Sequence, residues 1–176
     1  MARGRVNLKY NMHCILHVFD IKVRKEDCIF MHHVLIVESR FYEDIADKLA
    51  EGAIKALEAQ GATYERVAVP GALEIPAAIR FALNKERYDG YVALGCVIRG
   101  ETSHYDTVCA ESARGISWLN LEHNVAIGNG IITVETEAQA LERADPRQKN
   151  KGRDAALAAL RLIELKNHFS HKPKIY

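Results

Sequence analysis

From His33 onward the chain alternates short β-branched runs with amphipathic stretches of helical period, which restricts it to a parallel sheet covered by helices on both faces. Strands are expected at Val34 to Glu38, Tyr64 to Val69, Tyr91 to Ile98 and Val125 to Val134, with Gly128 and Gly130 interrupting the last. Between the first two lies a helix from about Glu43 to Gln60, with Ile45, Leu49, Ala53, Ile54 and Leu57 on one stripe and Gly61 as its stop. Pro76 marks the first turn of a second helix, whose inward stripe is Ile79, Ala82 and Leu83. A third helix spans roughly Asp106 to Leu121. Thr136 and Gln139 have the spacing of a capping box, and Asp145-Pro146 ends the short helix they open. The last helix runs from about Lys151 to Phe169, with Ala155, Leu157, Ala158, Leu162 and Leu165 expected inward. The order is β-α-β-α-β-α-β-α-α, and right-handed crossovers then bring every strand's C-terminal end to one edge. The predicted architecture is a three-layer α/β/α sandwich on a four-stranded parallel sheet.

That edge collects the unusual residues: Ser39 to Tyr42, Gly71 to Glu74, Arg99 to His104, and Glu135-Thr136. Ligands of open α/β sheets bind where strand ends and helix N-termini converge. In the segment Leu94 to Gly115 an apolar run stops at Arg99-Gly100, and Glu101, Thr102 and Ser103 lead to His104 as a helical pattern resumes. Backbone N–H groups of Gly100 to Ser103 at a helix start suit a phosphate, with His104 beside it. Glu74 at a helix start reads either as a helix-stabilising carboxylate or as an acceptor for ligand hydroxyls. Phe41 reads either as a core lid or as a stacking surface.

Composition narrows the function. The 176 residues are 48% hydrophobic and 27% charged, an ordinary globular balance, and a formal net charge of +1 argues against a phosphate-tracking nucleic-acid surface. Cys14, Cys28, Cys96 and Cys109 show no C-x-x-C pair and no zinc-ligand spacing, which reads as a reduced, cytoplasmic protein without a metal. Residues 1–30 carry six basic against three acidic side chains, and their apolar patch from Cys14 to Phe19 is too short for a secretory or membrane segment. This arm is expected to be poorly ordered, with a single domain from Met31 to Tyr176. The loop after the first strand, Ser39-Arg40-Phe41-Tyr42-Glu43, has no G-x-G-x-x-G, no P-loop is present, and its bulk does not suit a flavodoxin-type phosphate loop.

Four motifs in order resemble the lumazine synthases: Ser39-Arg40-Phe41, Val69-Pro70-Gly71-Ala72-Leu73-Glu74-Ile75-Pro76, Gly95 through Asp106, and Glu142-Arg143-Ala144 followed by Asn150-Lys151-Gly152. The similarity covers Val34 to Phe169. It implies a flavodoxin-like fold and the penultimate step of riboflavin biosynthesis. In that step 5-amino-6-(D-ribitylamino)uracil condenses with 3,4-dihydroxy-2-butanone 4-phosphate to give 6,7-dimethyl-8-ribityllumazine, phosphate and water, without metal or organic cofactor. By the same resemblance Phe41 stacks on the pyrimidine, Ala72, Leu73 and Glu74 bind the ribitylamino portion, and Cys96, Val97 and Ile98 line the ring. Glu101 and Thr102 hold the phosphate substrate and His104 transfers protons. Arg143 is a phosphate ligand supplied by a neighbouring subunit, with Lys151 and Asp154 nearby. Asn129 stands where many members carry a second aromatic wall, which leaves Phe41 as the stacking ring and Asn129 as a hydrogen-bonding group. Cys96, Leu73 and Tyr42 replace the frequent Thr, Phe and Asn. The resemblance also implies a homopentamer with sites between subunits, and a downstream riboflavin synthase as a possible partner. Because Asp145 to Asn150 lacks glycine, a pentamer or a pair of pentamers is expected rather than an icosahedral shell. A non-catalytic flavin- or lumazine-binding relative is the alternative, and Arg143 and His104 argue against it.

Overall fold

The computed structural model describes residues 31–84 and 87–170. The expected N-terminal arm, with Cys14 and Cys28, lies outside the described residues. Strands β1 (His33–Ser39), β2 (Thr63–Val69), β3 (Gly90–Ile98) and β4 (Ala126–Val134) form a parallel sheet in the order β2-β1-β3-β4. Helices α1 (Glu43–Ala59), α2 (Ile75–Leu83), α3 (His104–Glu122), α4 (Glu137–Ala144) and α5 (Lys151–Ser170) connect or follow them, with a 3-10 turn at Ala72–Glu74.

Side chains of β1 alternate between two cores, as the pleat requires. Val34 and Ile36 join residues of α1, α4 and α5 on one face, while Leu35 and Val37 join Ala72, Ile75, Ile79, Ile116 and Leu119 from the opposite layer. The central strands are covered on both faces, so β3 is apolar almost throughout, as a buried parallel strand must be. The predicted three-layer α/β/α sandwich is the architecture observed.

Local signals act as the sequence indicates at several ends. Gly61 takes a φ of 72°, and its N–H and that of Ala62 donate to Glu58 and Leu57, which closes α1 with a left-handed turn. Thr136 accepts a hydrogen bond from the Gln139 N–H at 3.3 Å, but the Gln139 side chain accepts from the Glu135 N–H at 3.0 Å rather than from Thr136 itself. The reciprocal bond of the capping box is shifted one residue outward. Helix α3 begins two residues earlier than expected, at His104.

Two expectations fail, and for one reason. Strand β4 is not interrupted by its glycines: it pairs with β3 continuously from Gly90↔Ala126 to Ile98↔Val134. Helix α5 buries Ala155 as expected but does not turn Leu157, Ala158 and Leu162 inward. Its buried residues are Gly152, Ala155, Ala156, Ala159, Leu160 and Ile163, while Leu157 and Leu162 are each 39% exposed and Ala158 is exposed. Small residues let α5 lie close on the sheet and on α1, and the glycines of β4 serve the same contact. A Cβ on Gly128 would sit 1.9 Å from the Ala155 carbonyl oxygen, and one on Gly152 would sit 1.9 Å from that of Leu49.

Backbone atoms cannot move aside for such a Cβ, so Gly152→Ala should destabilise the fold by about 3 kcal/mol, the upper part of the usual range for overpacking. For a domain of this size that lowers Tm by about 6 to 12 °C. Gly100→Ala, where a Cβ meets nothing within 4 Å, should stay within about 2 °C of the parent, and thermal melts by circular dichroism compare the two.

Candidate active site

All four strands end at one edge, and the loops that follow them carry most of the residues singled out from the sequence. The β1–α1 loop holds Phe41 71% exposed, with its ring edge-on to Tyr42 at 5.0 Å between centroids. Tyr42 instead packs against the buried core cluster that includes Cys96. Burial foremost, then the neighbourhood of Cys96 and Glu137, raises its hydroxyl pKa above the ordinary tyrosine range. Phe41 is thus held out by an anchored neighbour, as a stacking surface must be and a core lid would not be.

Below this loop Cys96 is 7% exposed, and burial pushes its thiol up to about 12, so it stays protonated and non-nucleophilic at neutral pH. Val97 is buried and Ile98 half-buried on the same strand end. Ser39, at the end of β1, is 3% exposed, and its hydroxyl has no partner among the described residues. Glu38 beside it is buried and accepts from the Arg66 guanidinium at 2.8 and 3.0 Å across the β1–β2 pair.

The 3-10 turn at Ala72–Glu74 buries Ala72 and leaves Leu73 and Glu74 exposed. Glu74 precedes α2 but makes no side-chain capping bond. Its carboxylate lies back over Gly71, where a Cβ would be 2.9 Å from Oε2. Without a capping bond the carboxylate keeps its oxygens as acceptors for other donors.

Glu101, Thr102 and His104 are exposed on the loop between β3 and α3, with the His104 N–H 3.4 Å from Thr102 Oγ1. Sequence reasoning missed the group that frames this loop. The Arg99 guanidinium contacts Asp106 at 3.0 Å and Glu135 at 2.9 Å, and lies 4.0 Å over the Tyr105 ring. Both carboxylates raise its pKa, Asp106 foremost. A signal existed, since Arg99 and Glu135 each follow the last rung of β3 and β4, but it required knowing that Ile98 pairs with Val134.

Three further expected residues stand on β4, α4 and the start of α5 and not on the loops that hold Phe41, Glu74 and His104. Asn129 pairs opposite Ala93, three rungs before Ile132 opposite Cys96, so it sits about 10 Å back along the strand. Its Oδ1 accepts from the Ile131 N–H at 3.0 Å, on the strand at the sheet's end. With Lys151 and Asp154 it lines a recess of about 250 Å³ between β4 and α5, where Lys151 Nζ pairs with Asp154 at 2.8 Å. Arg143 is half-buried on α4, its Nη1 donating to the Gln139 carbonyl at 3.2 Å and lying 3.6 Å from Glu142.

The turn that joins α4 to α5 sets the positions of both Arg143 and Lys151. Asp145 caps it: its carboxylate accepts from the Arg147 N–H at 2.8 Å and from the Arg147 guanidinium at 3.3 and 3.2 Å. Asn150 adopts a φ of 46°, the left-handed conformation that a glycine would otherwise supply, and its Oδ1 accepts from the Arg153 N–H at 3.2 Å. The Arg147 side-chain and backbone donors hold the Asp145 carboxyl well below the usual carboxylate range. Among the described residues no cluster of three His, Cys, Asp or Glu side chains is placed to hold a metal ion, and no helix is long and apolar enough to cross a membrane.

The chain is thus an α/β protein whose sheet presents an aromatic ring, an uncapping carboxylate, a polar helix-start loop and a histidine along one edge. Residues 31–167 match the sequence profile of the 6,7-dimethyl-8-ribityllumazine synthases. The chain is 59% identical over 138 residues to the 6,7-dimethyl-8-ribityllumazine synthase of Bartonella tribocorum, a match that covers 78% of this chain and 91% of the relative. It is 58% identical over 139 residues to that of Sphingopyxis alaskensis, covering 79% and 98%. With 6,7-dimethyl-8-ribityllumazine synthase 1 of Rhizobium meliloti it shares 56% over 139 residues, covering 76% and 91%. The chain belongs to the 6,7-dimethyl-8-ribityllumazine synthase family.

Because the Asp145 carboxyl is depressed in the folded state, it contributes stability that is present above its unfolded pKa of about 4 and lost as pH falls through the lower folded value. Asp145→Asn should therefore be less stable than the parent at pH 7, with the difference shrinking below about pH 4. Urea titrations at pH 7, 4 and 3 measure it, and a difference independent of pH would detach Asp145 from the turn's stability.

Proposed function

We propose that this protein is a transferase that condenses 5-amino-6-(D-ribitylamino)uracil with 3,4-dihydroxy-2-butanone 4-phosphate, giving 6,7-dimethyl-8-ribityllumazine, phosphate and water in the penultimate step of riboflavin biosynthesis. The observation that carries this reading, beside family membership, is the convergence of Phe41, Glu74, Cys96 and His104 at one sheet edge. Phe41 offers its exposed face to the pyrimidine, and the ends of β3 line the ring. Ala72, Leu73 and Glu74 border the ribityl chain, with the Glu74 carboxylate accepting its hydroxyls. Glu101, Thr102 and the backbone of the β3–α3 loop hold the butanone phosphate at the electropositive start of α3.

The 5-amino nitrogen attacks the ketone carbon, and a proton moves from nitrogen to oxygen to give a carbinolamine. Loss of water forms the imine. Elimination then breaks the carbon–oxygen bond to phosphate, and after tautomerisation the ribityl-bearing amine attacks the resulting carbonyl carbon, whose oxygen leaves as a second water as the ring closes. Every stage transfers protons near neutrality, which an imidazole can both accept and donate, so His104 carries them. Holding two substrates together supplies much of the remaining acceleration.

The placement of Asn129, Arg143 and Lys151 on β4, α4 and α5, away from the loops that carry Phe41 and His104, supports a homopentamer in which each site is completed by a neighbour. The β4 edge and the exposed Trp118, Leu121, Leu157 and Leu162 supply surface for such contacts. The turn from Asp145 to Asn150, braced by Asp145 and Asn150, favours a pentamer or pentamer pair over a shell. We assign the protein to the cytoplasm, with riboflavin synthase as the consumer of its product, residues 31–176 as the catalytic domain, and residues 1–30 as an appended arm.

The pure protein mixed with both substrates should develop lumazine absorbance, whereas a flavin carrier would bind without turnover. In that assay His104→Ala should slow kcat by about 10² or more without abolishing it. Arg143→Ala should raise KM for the butanone phosphate while leaving the affinity for ribitylaminouracil analogues nearly unchanged. Equal effects on both ligands would remove Arg143 from the phosphate. Light scattering should return the mass of five or ten chains, and a sixty-chain particle would contradict the turn argument.

A further inference from the structure

We infer that Arg99 is a positioning residue of the phosphate subsite, which acts by screening two carboxylates, Asp106 and Glu135, from an anion bound on the loop between β3 and α3. The inference rests on the proposed reading of that loop. Arg99 is the first residue beyond the last rung of β3, and its N–H donates to the Val134 carbonyl at 3.0 Å, which extends the β3–β4 ladder by one bond. That bond fixes where its side chain begins. Its Nε then lies 2.9 Å from Glu135 Oε2, at the end of β4, and its two terminal nitrogens lie 3.0 and 3.4 Å from the Asp106 carboxylate in the first turn of α3. The guanidinium plane covers the Tyr105 ring at 4.0 Å, between the two acids. One cation therefore ties the strand end, the helix start and the residue next to His104.

The placement of the acids explains the need for it. Asp106 in the first turn of α3 is favourable to the helix, but it stands two residues from His104 and puts a negative charge at the start of the helix expected to receive a phosphate. Glu135 adds a second one. Asp106 is 63% and Glu135 57% exposed, so neither is neutralised by burial, and Arg99 is the cation that contacts both. Exposed pairs of this kind contribute little to global folding. Their effect falls on a charged ligand a few ångströms away, where two uncompensated carboxylates oppose binding at close range. Arginine suits the task better than lysine for geometry, since its fork reaches two carboxylates while its plane stacks on Tyr105.

The test uses the full chain, with inorganic phosphate as probe in calorimetric titration and both substrates in steady-state assays. Arg99→Ala should weaken phosphate binding and raise KM for the butanone phosphate by roughly tenfold, on the order of what a few coupled exposed contacts supply. KM for ribitylaminouracil should change less than about twofold, and Tm should stay within about 2 °C. Arg99→Lys should recover most of the phosphate affinity because the charge is kept, and adding Asp106→Asn and Glu135→Gln to Arg99→Ala should recover it as well. Should Arg99→Ala fail to fold, the Asp106→Asn, Glu135→Gln pair in the parent decides the matter: it should tighten phosphate binding by about threefold or more. Unchanged phosphate affinity in either variant, or equal loss toward both substrates, overturns the role of Arg99. Parent protein that binds phosphate in an Arg99-dependent way yet forms no lumazine would instead overturn the proposed reaction and leave the Arg99 assignment standing.

Discussion

The parallel ladder of β3, held by β1 on one side and β4 on the other, is the constraint on which the rest of the molecule depends. Parallel pairing sends each connection back across a face of the sheet, so the helices are obliged to cover both sides and the chain leaves every strand at the same edge. The central strand can then be apolar over its whole length, and its end can carry functional residues without weakening the core. Cys96 illustrates the division: its side chain is buried in the core cluster, while it stands two residues before the end of the strand.

The second controlling contact is the close seating of α5. Gly152 lies against the Leu49 carbonyl and Gly128 against that of Ala155, so α5 approaches both α1 and β4 through positions where no side chain fits. The turn that delivers α5 to this seat is built by Asp145 and Asn150, and the same turn carries Lys151 into the recess beside Asn129. A packing requirement thus fixes where a candidate ligand-binding lysine stands. The recess reaches along β4 from Asn129 to Ile132, the residue paired with Cys96.

Much of the candidate site was legible before the fold was known. Phe41, Glu74, Glu101, Thr102 and His104 fall on loops whose positions follow from strand-helix alternation alone, and all of them stand at the expected edge. The structure sharpened two of them, because Tyr42 is the anchored ring that leaves Phe41 outward, and Glu74 does not cap its helix. The Arg99, Asp106 and Glu135 group was not legible. Glu135 is far from Arg99 and Asp106 in sequence, and only the rung between Ile98 and Val134 makes Arg99 and Glu135 neighbours. The pair of buried Glu38 with exposed Arg66 escaped notice for the same reason, since nothing local says that β1 and β2 lie side by side.

By itself the sequence determined the kind and order of the elements, the helix stop at Gly61, the helix start at Thr136, and the edge at which the polar loops gather. Those properties arise from the period of apolar residues and from short-range backbone chemistry, which a few neighbouring residues suffice to specify. Only the tertiary structure decided which face of α5 is buried, because a stripe made mostly of glycine and alanine carries little hydrophobic signal and acquires its meaning from the surface it is pressed against. It alone decided the strand order and the register, and through them the distance between Asn129 and Cys96 and the meeting of Arg99 with its two carboxylates. Those outcomes depend on pairings between segments distant in the chain, where the energy of a contact is set by the partner and not by the local pattern.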